Sequence, residues 1–175
     1  MDEKRRHGQF YTVGNPFDHQ AFHDWVASMG DLSSLSFVEP FAGSNDLILM
    51  SDPDLMGVSD GQWSAYDIAP EAITTSAYPS VSVCMHDSIA DMPSGAVVIT
   101  NPPYLAKNSA HRRHMMDIDF MGFNDLWEVC VDKMLHAFGF IAAIIPESFI
   151  TRGLFHDRLA DVISITDRMF DDSFL

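Results

Sequence analysis

Four apolar stretches of the sequence stop at residues able to do chemistry. "LSFVEPF" carries Glu39 and Pro40 with Gly43 close behind, and "WSAYDI" delivers Asp67 and Ile68. "VSVCMH" runs into Asp87 and Ser88, and "VVIT" into Asn101, Pro102, Pro103 and Tyr104. A carboxylate at Asp67 can accept both hydroxyl hydrogens of a ribose diol, and Ile68 beside it can cover one face of an adenine ring. Asp87 can accept from an adenine amino group. Each acid also has a plainer reading as a cap on the turn that follows it. Gly43 permits close backbone approach, but it is one glycine of a possible pair, which is no dinucleotide fingerprint. No lysine-bearing phosphate loop is present. An adenosine pocket without a phosphate cradle points to S-adenosylmethionine.

The elements that must position these groups follow from patterning. Short, β-branched apolar runs at 35–41, 63–68, 81–86, 96–100, 138–145 and 162–170 predict strands covered on both faces. Between them, 17–29 places Phe17, Ala21, Phe22, Trp25, Val26 and Met29 on one helical stripe. The stretch 124–138 does the same with Leu126, Val129, Cys130, Met134, Leu135 and Phe138, with Asn124 as its N-cap. Strands alternating with helices predict an α/β fold with a mostly parallel sheet and helices on both faces. Ligands in such folds bind beyond the carboxyl ends of the strands, where all four unusual stretches fall. The aperiodic stretch 105–123 reads as a long mobile loop.

Composition narrows the class. The 175 residues, 47% of them hydrophobic, suit one domain with a substantial core. A net charge of −15 argues against a large nucleic-acid footprint on this segment. The basic clusters, residues 3–7 and 111–114, read equally as solvated patches. Cys84 and Cys130 have no metal spacing and imply a reducing, cytoplasmic compartment. His111 and His114 lack further ligands at useful spacing, so no metal is expected. No apolar run has the length of a membrane span.

The sequence resembles the N6-adenine-specific DNA methyltransferases of restriction-modification and related systems, in the gamma-type motif order. "KRRHGQFYT" (4–12) is similar to the N-terminal motif that closes over the methionine end of the cofactor, and "VEPFAGSNDL" (38–47) to the acidic-Pro-x-x-Gly motif. "YDIAP" resembles the ribose-binding motif, "HDS" the adenine-binding one, "TNPPY" the catalytic one, and "GFIAAIIPESF" (139–149) the end of the fifth strand. The resemblance covers nearly the whole chain. It implies a Rossmann-like methyltransferase fold. Gln9, Phe10, Tyr11, Thr12, Glu39, Pro40, Gly43, Asp67, Ile68, Asp87, Ser88 and Asn101 would hold S-adenosylmethionine. It also implies a mechanism in which the Asn101 side-chain oxygen and the Pro102 carbonyl each accept a hydrogen of the adenine amino group. The nitrogen lone pair is thereby aimed at the sulfonium methyl, with no strong base required. The rigid prolines limit the freedom of those acceptors, and Tyr104 would stack on the flipped base.

Two departures are small: Val13 stands where proline is usual and Asn45 where a second glycine is common. A larger one concerns the end of the chain: the family's further strand and target-recognition domain are not expected within these 175 residues, and the C-terminal strand hairpin is expected to be incomplete. The expected organisation is a single catalytic domain, 1–175. It has a lid segment and helix (1–34), a cofactor half (35–104), the loop (105–123) and a truncated second half (124–175). DNA is the expected partner, with a second chain or a separate recognition domain completing the enzyme. A non-catalytic module that holds cofactor or a partner chain is the alternative from another class, and an RNA or protein amide methyltransferase the alternative from the same chemistry.

Overall fold

The computed structural model describes residues 15–70, 76–112 and 118–164. Five strands make one sheet: β1 (Phe37–Glu39), β2 (Trp63–Asp67), β3 (Val83–Met85), β4 (Gly95–Thr100) and β5 (Phe138–Ala143). Their order is β3-β2-β1-β4-β5, and every neighbouring pair is parallel. The order reverses at β1, which pairs with β2 on one side and β4 on the other. The fold is therefore α/β with a Rossmann-like parallel sheet, and its switch point lies between β1 and β4.

Alternation along the strands feeds two separate cores. Val97 and Ile99 of β4 join Phe37 and Ala65 in one, against helix α1 (Gln20–Ser28) and helix α2 (Asp46–Met50). Val98 and Val38 point the other way, into a core with Trp127, Val129, Cys130 and Met134 of helix α5 (Leu126–Ala137). Both faces are covered, which explains why β4 reads as an uninterrupted apolar run. At Gly95, the start of β4, a Cβ would stand 3.0 Å from Val38 Cγ2 and 3.1 Å from Ser36 Oγ, so a larger residue would need those side chains to shift.

Three expectations change. The stretch 105–123 is not all loop: residues Lys107–Arg112 form helix α4, after the short α3 (Pro53–Met56) earlier in the chain. Leu105 and Ala110 are buried in the second core, and Lys107 N donates to Asn124 O at 2.9 Å, so packing orders what periodicity did not reveal. Asn124 is not the cap of α5. Asp125 takes that position, and Glu128 accepts from the backbone N–H of Asn124 (2.9 Å) and Asp125 (3.3 Å). The sixth predicted strand lies mostly outside the described residues, and its first three, 162–164, form no strand. A last helix, α6 (Ser148–Arg152), follows β5.

Candidate functional site at the carboxyl ends of the strands

Glu39 is the last residue of β1 and is 1% exposed. Its Oε1 accepts from Thr100 Oγ1 at 2.5 Å and from Phe41 N at 3.0 Å, while buried Oε2 has no hydrogen-bond partner. Desolvation pushes the carboxyl up to about 8 against the lowering effect of those bonds, and the charge of Asp67 adds to the rise. Pro40 and Ala42 are buried behind it. Gly43 turns the chain at φ 49°, where a glycine has little strain.

Asp67 closes β2 and is buried. Its Oδ2 accepts from Gly43 N at 3.1 Å and its Oδ1 from Ala69 N at 2.9 Å. One carboxylate thus ties the β1–α2 loop to the end of β2. An ionised carboxylate accepts at about four sites, and the backbone takes one on each oxygen. Beyond it Ile68 is 55% exposed, and Met85, opposite Asp67 in the β2–β3 register, is 75% exposed. Two large apolar side chains therefore stand in solvent at adjacent strand ends. Met85 was not singled out from sequence, because an apolar residue inside an apolar run carries no sign of its exposure.

Asp87 is exposed, and its Oδ1 accepts from Ile89 N and Ala90 N, both at 3.0 Å. It caps the turn after β3, while neighbouring Ser88 is buried with its hydroxyl unpartnered. Asn45, in place of the second glycine, adopts the left-handed conformation (φ 66°) that asparagine tolerates. Its buried amide donates to Val81 O (2.7 Å), Tyr78 O (3.2 Å) and Ser76 Oγ (3.3 Å), pinning the approach to β3. That departure is a structural replacement with its own function.

The Asn-Pro-Pro-Tyr turn leaves β4 beside the switch point. Pro102 is buried, and Asn101, Pro103 and Tyr104 are half-buried. The Tyr104 hydroxyl lies 2.6 Å from Asn101 Oδ1 and 2.7 Å from Ile144 O. Burial, and then the charge of Asp125, push its phenol above the usual range. The far side of the turn is clamped to α5: Leu105 N donates to Asp125 Oδ1 at 3.1 Å and Leu126 N to Leu105 O at 3.1 Å. Glu128, fully buried, pairs with Arg152 of α6. The Asp125-x-x-Glu128 spacing is a capping-box signal that could have located this clamp. Thr100, by contrast, had no signal in the sequence, since its partner lies 61 residues away.

The structure thus brings Glu39, Asp67, Asn101 and Tyr104 to one end of the sheet, with Gly43 and Ile68. Gln9, Phe10, Tyr11 and Thr12 lie outside the described residues. Among the described residues no cluster of metal-binding side chains is present, and no helix is long and apolar enough to cross a membrane.

No protein-family model and no curated protein matches the chain. Solved structures do. One, from Listeria monocytogenes, is described as a candidate class I S-adenosylmethionine-dependent methyltransferase. It aligns over 80% of this chain and 47% of its own, with 12% identity and a TM-score of 0.52. A Thermoplasma acidophilum protein aligns over 75% of this chain and 64% of its own, with 21% identity and a TM-score of 0.47. The chain spans about half to two thirds of the length of these neighbours. The similarity to the Listeria structure agrees with the fold assigned from the sheet.

Proposed function

We propose that the chain is a methyltransferase domain that uses S-adenosylmethionine to methylate the N6 amino group of a flipped-out adenine in DNA. The observation that carries this reading is the placement of the Asn-Pro-Pro-Tyr turn. It begins at the end of β4, next to the switch point, one residue beyond the Thr100–Glu39 contact. The fold shared with the Listeria neighbour supports the cofactor.

The residues present fit that cofactor. A buried carboxyl group, Asp67, lies next to exposed Ile68 in sequence and opposite exposed Met85 in the β2–β3 register, an acceptor for ribose hydroxyls with apolar surface for a base beside it. Ile68 and Met85 would cover the base, Asp67 would accept from the ribose hydroxyls, and Gly43 would allow the backbone to approach. When bound, the cofactor supplies an electrophilic methyl group on a sulfonium centre. Asn101 Oδ1 and the Pro102 carbonyl then accept the two amino hydrogens and direct the lone pair. Tyr104 offers its ring to the base, a contact worth roughly 1–3 kcal/mol. No group has to remove a proton before transfer. As the methyl leaves sulfur for nitrogen the sulfonium would become a neutral thioether, one amino proton is then lost to solvent, and the preorganised acceptors hold the amine in place throughout.

The charge of −15 favours a second reading, in which the domain holds cofactor but leaves DNA binding to a partner chain or does not methylate at all. Calorimetric titration of the folded chain with S-adenosylmethionine is the first test, with saturable binding expected. A folded sample that takes up none overturns the cofactor. Labelled methyl transfer to separate DNA, RNA and protein pools then discriminates among substrates, with label in DNA adenine expected.

A further inference from the structure

We propose that helix α4 (Lys107–Arg112) is a phosphate-contact surface, on which Lys107 and Arg112 hold the backbone of DNA beside the adenine turned out into the Asn-Pro-Pro-Tyr site. The choice of DNA rests on the proposed function; the cationic face itself does not.

Charge is spread unevenly along the chain. Acids outnumber Lys and Arg by 25 to 10, yet no acid occurs between Asp91 and Asp117. That interval holds β4, the Asn-Pro-Pro-Tyr turn and α4, with Lys107, Arg112 and Arg113. The fold turns the cations of α4 outward. Ala110 is buried in the second core, so the opposite side of the helix, with Asn108, His111 and Arg112, stands in solvent, and Lys107 is half-buried at its margin. Arg112 donates to the Ser109 hydroxyl at 3.1 Å. Neither cation is paired with a carboxylate among the described residues, where the one ion pair joins Glu128 and Arg152. Asp119 and Asp125, in the segment leading to α5, accept instead from the backbone N–H of Met121 (2.8 Å) and Leu105 (3.1 Å).

Helix stability does not account for Lys107. Cations favour the last turn of a helix, which suits His111 and Arg112, but oppose the dipole in the first turn, where Lys107 stands. The residues three and four places on are Ala110 and His111, so no acid on the helix offsets that charge. The charge is left for an external anion.

Placement favours a phosphate. Lys107 lies three residues beyond Tyr104, no more than about 11 Å along the chain. The start of the helix is fixed against the α5 entry, with Lys107 N donating to Asn124 O at 2.9 Å and Leu126 N to Leu105 O at 3.1 Å. Phosphates on one strand succeed each other every ~3.4 Å of axis, so those flanking an adenine at Tyr104 fall alongside α4. A footprint of a few phosphates also agrees with a chain of net charge −15.

The test is fluorescence anisotropy of the full chain with a labelled DNA duplex carrying one adenine opposite an abasic site, which lowers the cost of flipping. Binding should weaken with salt. Lys107→Gln and Arg112→Gln should each raise Kd about three- to tenfold and reduce the slope of log Kd against log salt by about one. The loss should be the same for every flanking sequence, because phosphate contacts carry no sequence information. Lys107→Arg and Arg112→Lys should keep the slope, and all four variants should melt as the unsubstituted chain does, which separates a lost charge from a lost fold. The proposal is overturned by a folded chain that binds no DNA, by an unchanged slope in both Gln variants, or by a slope lost equally in the charge-keeping pair. A loss confined to one flanking sequence, or tighter binding of the matching RNA, overturns it as well. A chain that binds no S-adenosylmethionine removes the proposed function and leaves the salt slopes to decide on α4. Methylation of DNA at unchanged KM in both Gln variants removes α4 and leaves the function standing.

Discussion

On the β1–β2 side of the sheet, buried carboxyl groups gather the backbone around themselves. Asp67 accepts from Gly43 and Ala69, and Glu39 from Phe41 and Thr100. On the β4–β5 side the turn is held by uncharged groups: the Tyr104 phenol, the Asn101 amide and the main chain of Thr100 and Ile144. Among the described residues, charged groups enter this side through Asp125, which accepts from Leu105 N, and through the Glu128–Arg152 pair. The contrast suits the chemistry proposed for each side. A cationic cofactor gains from the nearby Asp67 carboxylate while Glu39 holds its proton, whereas a neutral amine needs fixed acceptors and would gain nothing from a titrating base. Glu39 should therefore bring pH sensitivity to β1–β2, and the Asn-Pro-Pro-Tyr turn should make β4–β5 sensitive to side-chain geometry.

The largest expected effect is on the neutral side. Asn101→Ala should reduce methyl transfer by about 10²–10³-fold, the scale for loss of one preorganised group, while thermal unfolding stays within a few degrees. Retained transfer would break the assignment of that side. Arg152→Met should come next, leaving the Glu128 carboxylate buried without its cation. Breaking a buried pair destabilises by about 3–5 kcal/mol. Because Arg152 is 32% exposed, the lower end is expected in denaturant unfolding. A loss below about 1 kcal/mol would mean that the pair behaves as a surface one.

The third prediction concerns pH. Glu39 has a folded-state value of about 8, above its ordinary 4.5, so the folded chain holds a proton that the unfolded chain releases. Its stabilising contribution is full below about pH 4.5 and is lost as pH rises toward 8. Melting temperature should fall across that window, and Glu39→Gln should flatten the slope. An unchanged slope would place the pH sensitivity elsewhere. The smallest effect should come from Asn45: Asn45→Gly loses the bonds to Tyr78 and Val81 but keeps the left-handed backbone at ease, destabilising by about 1 kcal/mol. Asn45→Ala should lose more, because it adds strain at φ 66°. Equal losses in a melting comparison would show that the backbone conformation contributes nothing.

Strands β1 to β5 were all legible as β-branched apolar runs, although β3, with Cys84 and Met85 exposed, is less covered than its run implied, and the switch-point rule then directed attention to their ends. Helix α5 was legible from its stripe. Helix α4 was not, since Lys107–Arg112 is short, polar and held by contacts of Leu105 and Ala110 that no local pattern announces. The site divides similarly. Asn101, Glu39 and Asp67 could be named because acids and amides at the ends of apolar runs are conspicuous. Their partners, Thr100, Gly43 N and Ile144 O, are ordinary groups whose importance comes from long-range pairing. Tyr104 was read for its ring, whereas the structure adds the reach of its hydroxyl.

The Glu39–Thr100 hydrogen bond has one more consequence. It joins chain positions separated by 61 residues, across the parallel β1–β4 pairing. Contacts of that span form only after most of the intervening chain has been organised. Amide exchange at Ile99 and Thr100 should proceed only through opening of the whole sheet, while the Asp87 turn exchanges independently through small local fluctuations.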